Sequence, residues 1–340
     1  MSSGLQGAFE RNDGPVTFYL PEADLDALRA LDPDRHWREF LRGERVWILQ
    51  TYLRLKHAGL PVLLSEHLPR AGVVVISGQR RKTLHLSRAQ RRRLLIVATV
   101  QDLSFPAIAD VQIVQDPRQA GPVHAMHVPH WPQPGLIPRD PSRGSRIERI
   151  EFKGTTENLH PGFRTERWRR QVSALGLTWN EDARPSEEVA RDPSSVQWND
   201  YRAVDLCLAV RPEGVVSRKG KPASKLVVSW FAGCPALLGP EPAFRELRRS
   251  ELDYAEVAMP DEALRVIVAL REDSSRYLAM IENGRARAAP YSIESLTRTW
   301  AELLFDKVPV LQRDAAFQRW RRTPLAVRRW SGLTSRRRLR

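Results

Sequence analysis

The segment from Lys221 to Glu241 holds the residues best suited to bind an anion. Pro222 suits the first turn of a helix, where the missing N–H of proline costs nothing. The free N–H groups of that turn and the helix dipole favour a negative charge. Ser224 adds a hydroxyl donor, and Lys221 and Lys225 add full positive charges. These features predict a pyrophosphate site that needs no metal, with an ordinary helix start and surface lysines as the alternative.

The histidines are evenly spaced but do not indicate a metal centre. His124, His127 and His130 recur every third residue, and in an extended segment that spacing puts neighbouring side chains on alternate faces. No cluster of cysteines or carboxylates completes a ligand set. We therefore expect neither a metal nor a bound cofactor.

Apolar runs bounded by Gly and Pro predict the strands that must position these residues. They lack polar alternation, which is typical of strands covered on both faces in a parallel sheet. The runs cover residues 16–20, 61–64, 72–76, 94–98, 111–114, 147–152, 204–210 and 235–238.

Helical spacing of apolar residues fills the intervals between these runs. Helices are expected to end at Gly59, Gly176 and Gly233. Further helices are expected to begin at Pro260, at Ser274 with its end at Gly284, and at Ser292.

The alternation of strands and helices occurs twice, on either side of a Pro-rich segment. Residues 131–144 contain four Pro and two Gly, which excludes a regular element. We expect an α/β chain with two doubly wound, Rossmann-like domains facing a cleft. The expected boundaries are a first domain at 1–140, a second domain at 141–305, and a C-terminal helix with an Arg-rich tail at 306–340.

Composition indicates a globular chain inside the cell. The 340 residues are 42% hydrophobic and 28% charged, so the chain can fill about two domains of ~150 residues. The two cysteines fit a reducing compartment. The N-terminus is unlike a secretory signal, and no apolar run reaches the ~20 residues of a membrane-spanning helix. We therefore expect a cytoplasmic protein.

Most of the net charge of +14 lies in the Arg-rich tail, because residues 319–340 contain nine Arg and no acid. With apolar residues between the arginines, this tail is able to lie on an anionic membrane surface. Binding to nucleic acid is the less favoured hypothesis, and a solvated chain end is the alternative to both.

The segment that begins at Lys221 resembles the nucleotide-sugar half of GT-B glycosyltransferases, especially the bacterial group 1 type. The resemblance rests on K-P-x-x-K-L at 221–226 and A-G-x-P at 232–235, followed by an apolar strand. The runs W-P-Q-P-G-L-I-P-R at 131–139 and F-K-G at 152–154 are similar to the same family. The resemblance covers about residues 127–305. It implies that the domain at 1–140 is the acceptor side and that the domain at 141–305 binds the nucleotide sugar.

This resemblance implies a set of donor-binding residues. Lys153, Gly154 and Thr155 would lie under the diphosphate, Ser224 and Lys225 would contact it, Lys221 would lie close by, Arg139 would face the leaving diphosphate, and Glu241 would approach the ribose or sugar hydroxyls. Group 1 enzymes usually carry two glutamates at positions that are Gly220 and Val228 here. Glu241 is the expected substitute.

The implied reaction moves a sugar from a nucleotide-sugar donor to a glycan or lipid-linked acceptor, without a metal. The resemblance favours a retaining mechanism; an inverting one would need a base, for which Asp102, Asp110 and His130 are weak candidates. Two alternatives stay open. One is a non-catalytic basic protein that binds RNA or a lipid surface through a vestigial cleft, and the other is a sugar-nucleotide epimerase.

Overall fold

The computed structural model describes residues 15–41, 43–103, 105–121, 124–212 and 221–329. Contacts between residues divide the chain into two compact units. Unit 1 contains the chain up to Trp131, the short stretch that includes Lys221 and Pro222, and the chain from Ile293 onward. Unit 2 contains the remainder, 132–219 and 223–292.

Unit 1 is built on a six-stranded sheet in which all neighbouring strands run parallel. The order β2-β1-β3-β4-β5-β6 reverses direction once, between β1 and β3. The strands are β1 Val16–Tyr19, β2 Val62–Ser65, β3 Gly72–Ser77, β4 Leu94–Thr99, β5 Val111–Val114 and β6 Ala125–His127.

Helices cover the faces of this sheet. The α-helices of unit 1 are α1 Leu25–Arg29, α2 Thr51–His57, α3 Arg88–Arg93, α10 Ile293–Ala301, α11 Val308–Arg313 and α12 Ala315–Arg321. A π-helix at Arg45–Gln50 leads into α2, and another at Glu302–Lys307 joins α10 to α11.

The C-terminal helices belong to unit 1 because they complete its core. Trp300 is fully buried, and its ring centre lies 6.4 Å from that of Trp47. Leu304 and Phe317 are buried in the same cluster. The division between units therefore falls after Trp131 and before Ile293, rather than at the expected residues 140 and 305.

Unit 2 is built on a five-stranded parallel sheet with the order β11-β10-β9-β7-β8. The order reverses between β7 and β9, where Ile150 pairs with Leu206. The strands are β7 Arg149–Thr155, β8 Thr178–Arg184, β9 Leu206–Ala209, β10 Ala236–Leu238 and β11 Ala255–Glu256.

The α-helices of unit 2 alternate with these strands. They are α4 Glu166–Ala174, α5 Ser186–Arg191, α6 Ser224–Ala232, α7 Pro242–Leu247, α8 Pro260–Glu272 and α9 Ser274–Ala288. Short 3-10 turns include Pro141–Arg143 and Thr156–Asn158. Both sheets are thus doubly wound, which confirms the predicted pair of Rossmann-like α/β units.

Two expected helix ends differ from the structure. Helix α9 continues past Gly284 to Ala288, because Gly284 is a packing residue: a Cβ there would lie 3.0 Å from Cδ1 of Trp230. Helix α6 begins at Ser224 with Ala223 as its N-cap, so Pro222 precedes the helix rather than forming its first turn. None of the helices in the described ranges combines the length and apolar character needed to cross a bilayer.

Candidate functional site

The candidate site lies at the carboxyl edge of the unit 2 sheet, where the strand order reverses. There β7 ends at Thr155, β9 runs on to Arg211, and β10 runs on through Gly239 to Glu241. In open parallel sheets, ligands bind outside the carboxyl ends of the strands at such a reversal. Helix α6 follows β9 in the chain. Its N-cap residue is Ala223, so no capping side chain accepts a hydrogen bond from the backbone N–H groups of its first turn.

Lys225 is the cation that the fold brings to this edge. Its half-buried ammonium donates a hydrogen bond to the backbone carbonyl oxygen of Lys153. A Cβ on Gly154 would lie 3.5 Å from Nζ of Lys225 and 3.0 Å from Cζ of Phe152. Glycine at 154 therefore leaves room for the ring of Phe152, and Lys225 lies within contact distance of the strand end. The structure places Gly154 beside Lys225, and Ser224 precedes Lys225 in the first turn of α6.

Burial, together with the nearby positive charge of Arg211, lowers the pKa of Lys225 to about 8. An ammonium that loses its solvation and faces a like charge is stabilised when an anion binds beside it. The electrostatics of this edge therefore favour an anionic ligand.

A hydrogen-bonded chain ties together the ends of three neighbouring strands. Arg211 forms an ion pair with the buried Glu241, and its Nε donates to Oδ1 of Asn158 at 3.2 Å. Asn158 in turn donates to Oγ1 of Thr155 at 2.6 Å. Glu241 is thus engaged by Arg211, a partner that the sequence analysis did not identify. The sequence signal for this partner was an arginine directly after the apolar run 204–210.

Trp198 borders the same ammonium. Its ring centre lies 5.9 Å from Nζ of Lys225, and its indole N–H donates to the carbonyl oxygen of Asp182 at 3.0 Å. The ring is therefore held in place beside the cation, within range of a cation–π contact.

The ammonium of Lys153 is directed away from Gly154. Side chains alternate along a strand, so Lys153 shares a face with Glu151, whose Oε1 it contacts at 2.8 Å. It also donates to Asp182 Oδ2 at 3.3 Å and to the carbonyl oxygen of Gln197 at 3.0 Å. All three donors are engaged, so Lys153 contacts Lys225 through its backbone carbonyl rather than through its ammonium.

Arg139 lies at the opposite, amino edge of the sheet. Its guanidinium contacts Asp205, the residue before β9, at 2.8 Å, and donates to the carbonyl oxygens of Gly144 and Arg146 at 3.0 Å. The expectation that Arg139 faces a leaving diphosphate is corrected by this placement. Arg139 instead fixes the Pro-rich segment to the start of β9.

Lys221 and the suggested bases are engaged within unit 1. Lys221 forms an ion pair with Asp102, whose other oxygen accepts from Nε2 of Gln115 at 2.6 Å. Nδ1 of His130 lies 2.6 Å from the carbonyl oxygen of Trp131. Asp110 is buried in an ion pair with Arg328.

The structure gathers no metal-ligand set in the described ranges: no group of three or more His, Cys, Asp and Glu side chains is close enough to hold an ion. His124 packs against the rings of Phe317 and Trp320 at 4.7 and 4.8 Å, and burial lowers its pKa.

No family model and no curated protein matches the sequence. Solved structures do match the fold. The sucrose-phosphate synthase of Thermosynechococcus elongatus aligns with a TM-score of 0.52 at 13% identity, over 87% of this chain and 100% of that one. Anabaena Alr3699/HepE in complex with UDP-glucose aligns at 0.50 and 12% identity, over 85% and 98%. TarM aligns at 0.47 and 8% identity over 75% of this chain, which spans 58% of TarM. The likeness to the first two structures, together with the two doubly wound parallel sheets, shows that this chain has the GT-B fold.

Proposed function

We propose that the chain is a glycosyltransferase that takes a sugar from a nucleotide-sugar donor. The observation that carries the proposal is the half-buried ammonium of Lys225 at the reversal point of the unit 2 sheet. HepE, which shares the fold, binds UDP-glucose. Uridine diphosphate sugars are therefore the first donors to test.

The donor diphosphate is proposed to bind between the first turn of α6 and the end of β7. The N–H groups of that turn, the hydroxyl of Ser224 and the ammonium of Lys225 would donate to its oxygens. Gly154 would let the diphosphate approach the strand end closely. Arg211 would add positive charge while its pairing with Glu241 holds it in position. Thr155 would support the cradle through Asn158.

In the proposed reaction the bond between the anomeric carbon and the diphosphate oxygen breaks. The acceptor oxygen bonds to that carbon, and the acceptor hydroxyl gives its proton to the departing diphosphate oxygen. Negative charge grows on the departing diphosphate, so fixed positive charge and N–H dipoles lower the barrier. Lys225 and α6 would supply this charge from the chain itself, which supports a metal-independent reaction.

We further propose a retaining mechanism with the acceptor, a glycan or lipid-linked glycan, bound by unit 1. The engagement of Asp102 by Lys221 and Gln115 supports a mechanism in which Asp102 is not the base. We also propose a cytoplasmic location. The Arg-rich tail would hold the protein at an anionic membrane surface near such an acceptor; residues 330–340 lie outside the described ranges.

A hydrolysis screen tests this function. The full chain is incubated without acceptor with UDP-, GDP-, ADP- and TDP-sugars, and nucleoside diphosphate and sugar products are quantified. We expect slow release of one nucleoside diphosphate, reduced in Lys225→Gln and unchanged in Lys56→Gln, an exposed lysine of α2. An epimeric nucleotide sugar without release would instead identify an epimerase. If neither product forms with any donor and no nucleoside diphosphate raises the melting temperature, the non-catalytic alternative is favoured.

A further inference from the structure

A groove in unit 1 is lined by five arginines and, among the residues that the structure describes, by no acidic one. It lies between α3 and the end of α12 with the turn that follows it, and its volume is about 1010 Å³. The arginines of its wall are Arg88, Arg91, Arg92, Arg321 and Arg322. The volume is in the range of pockets that hold small organic ligands. The proposed donor site, in unit 2, shares none of these residues.

The local structure orients these arginines together. Ser87 and Gln90 form a reciprocal capping box that fixes the start of α3. Arg88, Arg91 and Arg92 then follow at spacings of three and four, which place them on one face of the helix. Nη2 of Arg321 donates to the carbonyl oxygen of Leu94 at 2.7 Å, just after α3. The two helix ends are thus tied to each other beside the groove.

Positive charge beneath the groove exceeds the negative charge available to it. Asp110 is a buried carboxylate that lies 2.8 Å from Arg328 and 3.5 Å from Arg321. It also attracts Arg91, so one carboxylate serves three guanidinium groups. Arginine cannot shed its proton to relieve this imbalance.

Arg91 shows the consequence most clearly. Its Nη1 donates to the carbonyl oxygen of Ile108 at 3.0 Å, whereas its Nη2 is buried without a hydrogen-bond partner among the described residues. An ionised group left partly unsatisfied in this way is costly. An anion in the groove would lower that cost by neutralising the surrounding charge.

We propose that this groove binds a ligand carrying two adjacent phosphate groups. Guanidinium groups match phosphate oxygens with paired N–H donors, and one phosphate would leave most of the charge on the wall unbalanced. The diphosphate belongs either to a free metabolite or to the headgroup of a lipid. Leu325 lies on the groove wall and is 38% exposed, so apolar contact beside the phosphates is available to either source.

Calorimetric titration with inorganic pyrophosphate tests the proposal. The groove variant Arg88→Gln/Arg92→Gln is compared with Arg93→Gln/Arg319→Gln, which removes the same charge from exposed positions of α3 and α12 outside the groove. Each pair is also made in a Lys225→Gln background, so that binding at the proposed donor site is not counted. We expect the groove variant to lose about tenfold or more in affinity, and the control pair less than about twofold.

A second arm separates the two sources of the diphosphate. Sedimentation with phosphatidylcholine vesicles that contain a polyprenyl diphosphate, a lipid whose headgroup is a diphosphate, is measured against pure phosphatidylcholine. Groove-dependent binding to the diphosphate-lipid vesicles alone assigns a headgroup, and groove-dependent binding to pyrophosphate assigns a soluble ligand. Equal losses in the groove and control pairs, or no binding of either probe by the wild-type chain, would overturn the proposal. Neither result depends on whether unit 2 binds a nucleotide.

Discussion

The ammonium of Lys225 donates a hydrogen bond to the backbone carbonyl oxygen of Lys153. This single contact joins the first turn of α6 to the end of β7 across the point where the unit 2 sheet reverses. A carbonyl oxygen satisfies one donor of the ammonium but does not neutralise its charge. An anion would supply the missing negative charge, so the ionisation of Lys225 is the first property that can be tested.

The affinity for UDP should fall as the pH rises through the pKa of Lys225, which burial lowers to about 8. A bound diphosphate stabilises the charged lysine and raises that pKa, so binding takes up protons near pH 8. We expect the dissociation constant to rise about tenfold between about pH 7 and pH 9.5, with proton uptake visible in buffers of different ionisation enthalpy. The same pH profile in Lys225→Gln would contradict this assignment.

Without ligand, the same shift affects stability in the opposite direction. Between about pH 8 and the ordinary lysine pKa of 10.5, the unfolded chain holds a proton that the folded chain has lost. The contribution of Lys225 to the free energy of unfolding should therefore rise with pH across this window. Comparing denaturant unfolding of wild type with that of Lys225→Gln isolates this contribution.

Gly154→Ala should weaken UDP binding by about tenfold, because the added methyl would force the ring of Phe152 to shift beside the ammonium of Lys225. Gly176→Ala is the matched control. Gly176 has a φ of +71° and no neighbour within 4 Å of an added Cβ, so its substitution should cost ~1–2 kcal/mol of stability without changing UDP affinity. Equal affinity of Gly154→Ala and wild type would remove Gly154 from the site.

Asp205→Asn should destabilise unit 2 without affecting the nucleotide site. Burial alone would raise the pKa of Asp205, but hydrogen bonds from Arg143, two backbone N–H groups and Arg139 hold it below its ordinary value. Removing the carboxylate should cost ~3–5 kcal/mol, with unchanged UDP affinity in the folded fraction. In Asp200→Asn, which breaks a surface pair with Arg202, the cost should be below about 1 kcal/mol.

The lowered pKa of Asp205 also makes the stability of unit 2 depend on pH. The stabilisation from Asp205 should be present above the unfolded carboxyl pKa and be lost as the pH falls through the lower folded pKa. Denaturant unfolding of wild type and Asp205→Asn at a series of acidic pH values would show their stabilities converging. A loss of UDP affinity in folded Asp205→Asn would mean that this edge does influence the donor.

Asp102→Asn and His130→Gln should each retain donor turnover within about tenfold of wild type, because neither side chain is proposed to take a proton. Loss of a general base typically costs about a hundredfold or more. Initial rates of nucleoside diphosphate release at saturating donor, measured with folded variants, check this. A loss of that larger size in one variant alone would point to an inverting mechanism.

The sequence predicted helix ends correctly where a glycine ends the helix through its own backbone conformation. Gly233 ends α6 with a φ of +66°, and Gly59 follows α2 with a φ of +78°, as their positions predicted. Gly284 wrongly predicted a helix end. Its role is close packing against Trp230 of α6, which the local sequence does not reveal. Strand β8 went unrecognised because it is an edge strand of largely polar residues, Thr178–Arg184, positioned by its pairing with β7.

The same distinction applies to the candidate site. The meeting of Gly154 and Lys225 was expected from the family resemblance, and it depends on the order of the strands. The engagement of Arg139 by Asp205 joins residues 66 positions apart, and that of Lys153 by Asp182 depends on the unrecognised β8. Long-range ion pairs such as these leave no local signal, so the sequence could name the cations but not their partners.

The central claim is that Lys225 contacts a diphosphate, and a ligand series tests it most directly. Calorimetry compares UDP, UMP and uridine with wild type, Lys225→Gln and the control Lys56→Gln. The account predicts that Lys225→Gln loses ~1.5–3 kcal/mol of binding free energy for UDP, less for UMP and none for uridine, while Lys56→Gln matches wild type. Wild-type affinity of Lys225→Gln for UDP, or an equal loss for all three ligands, would contradict it.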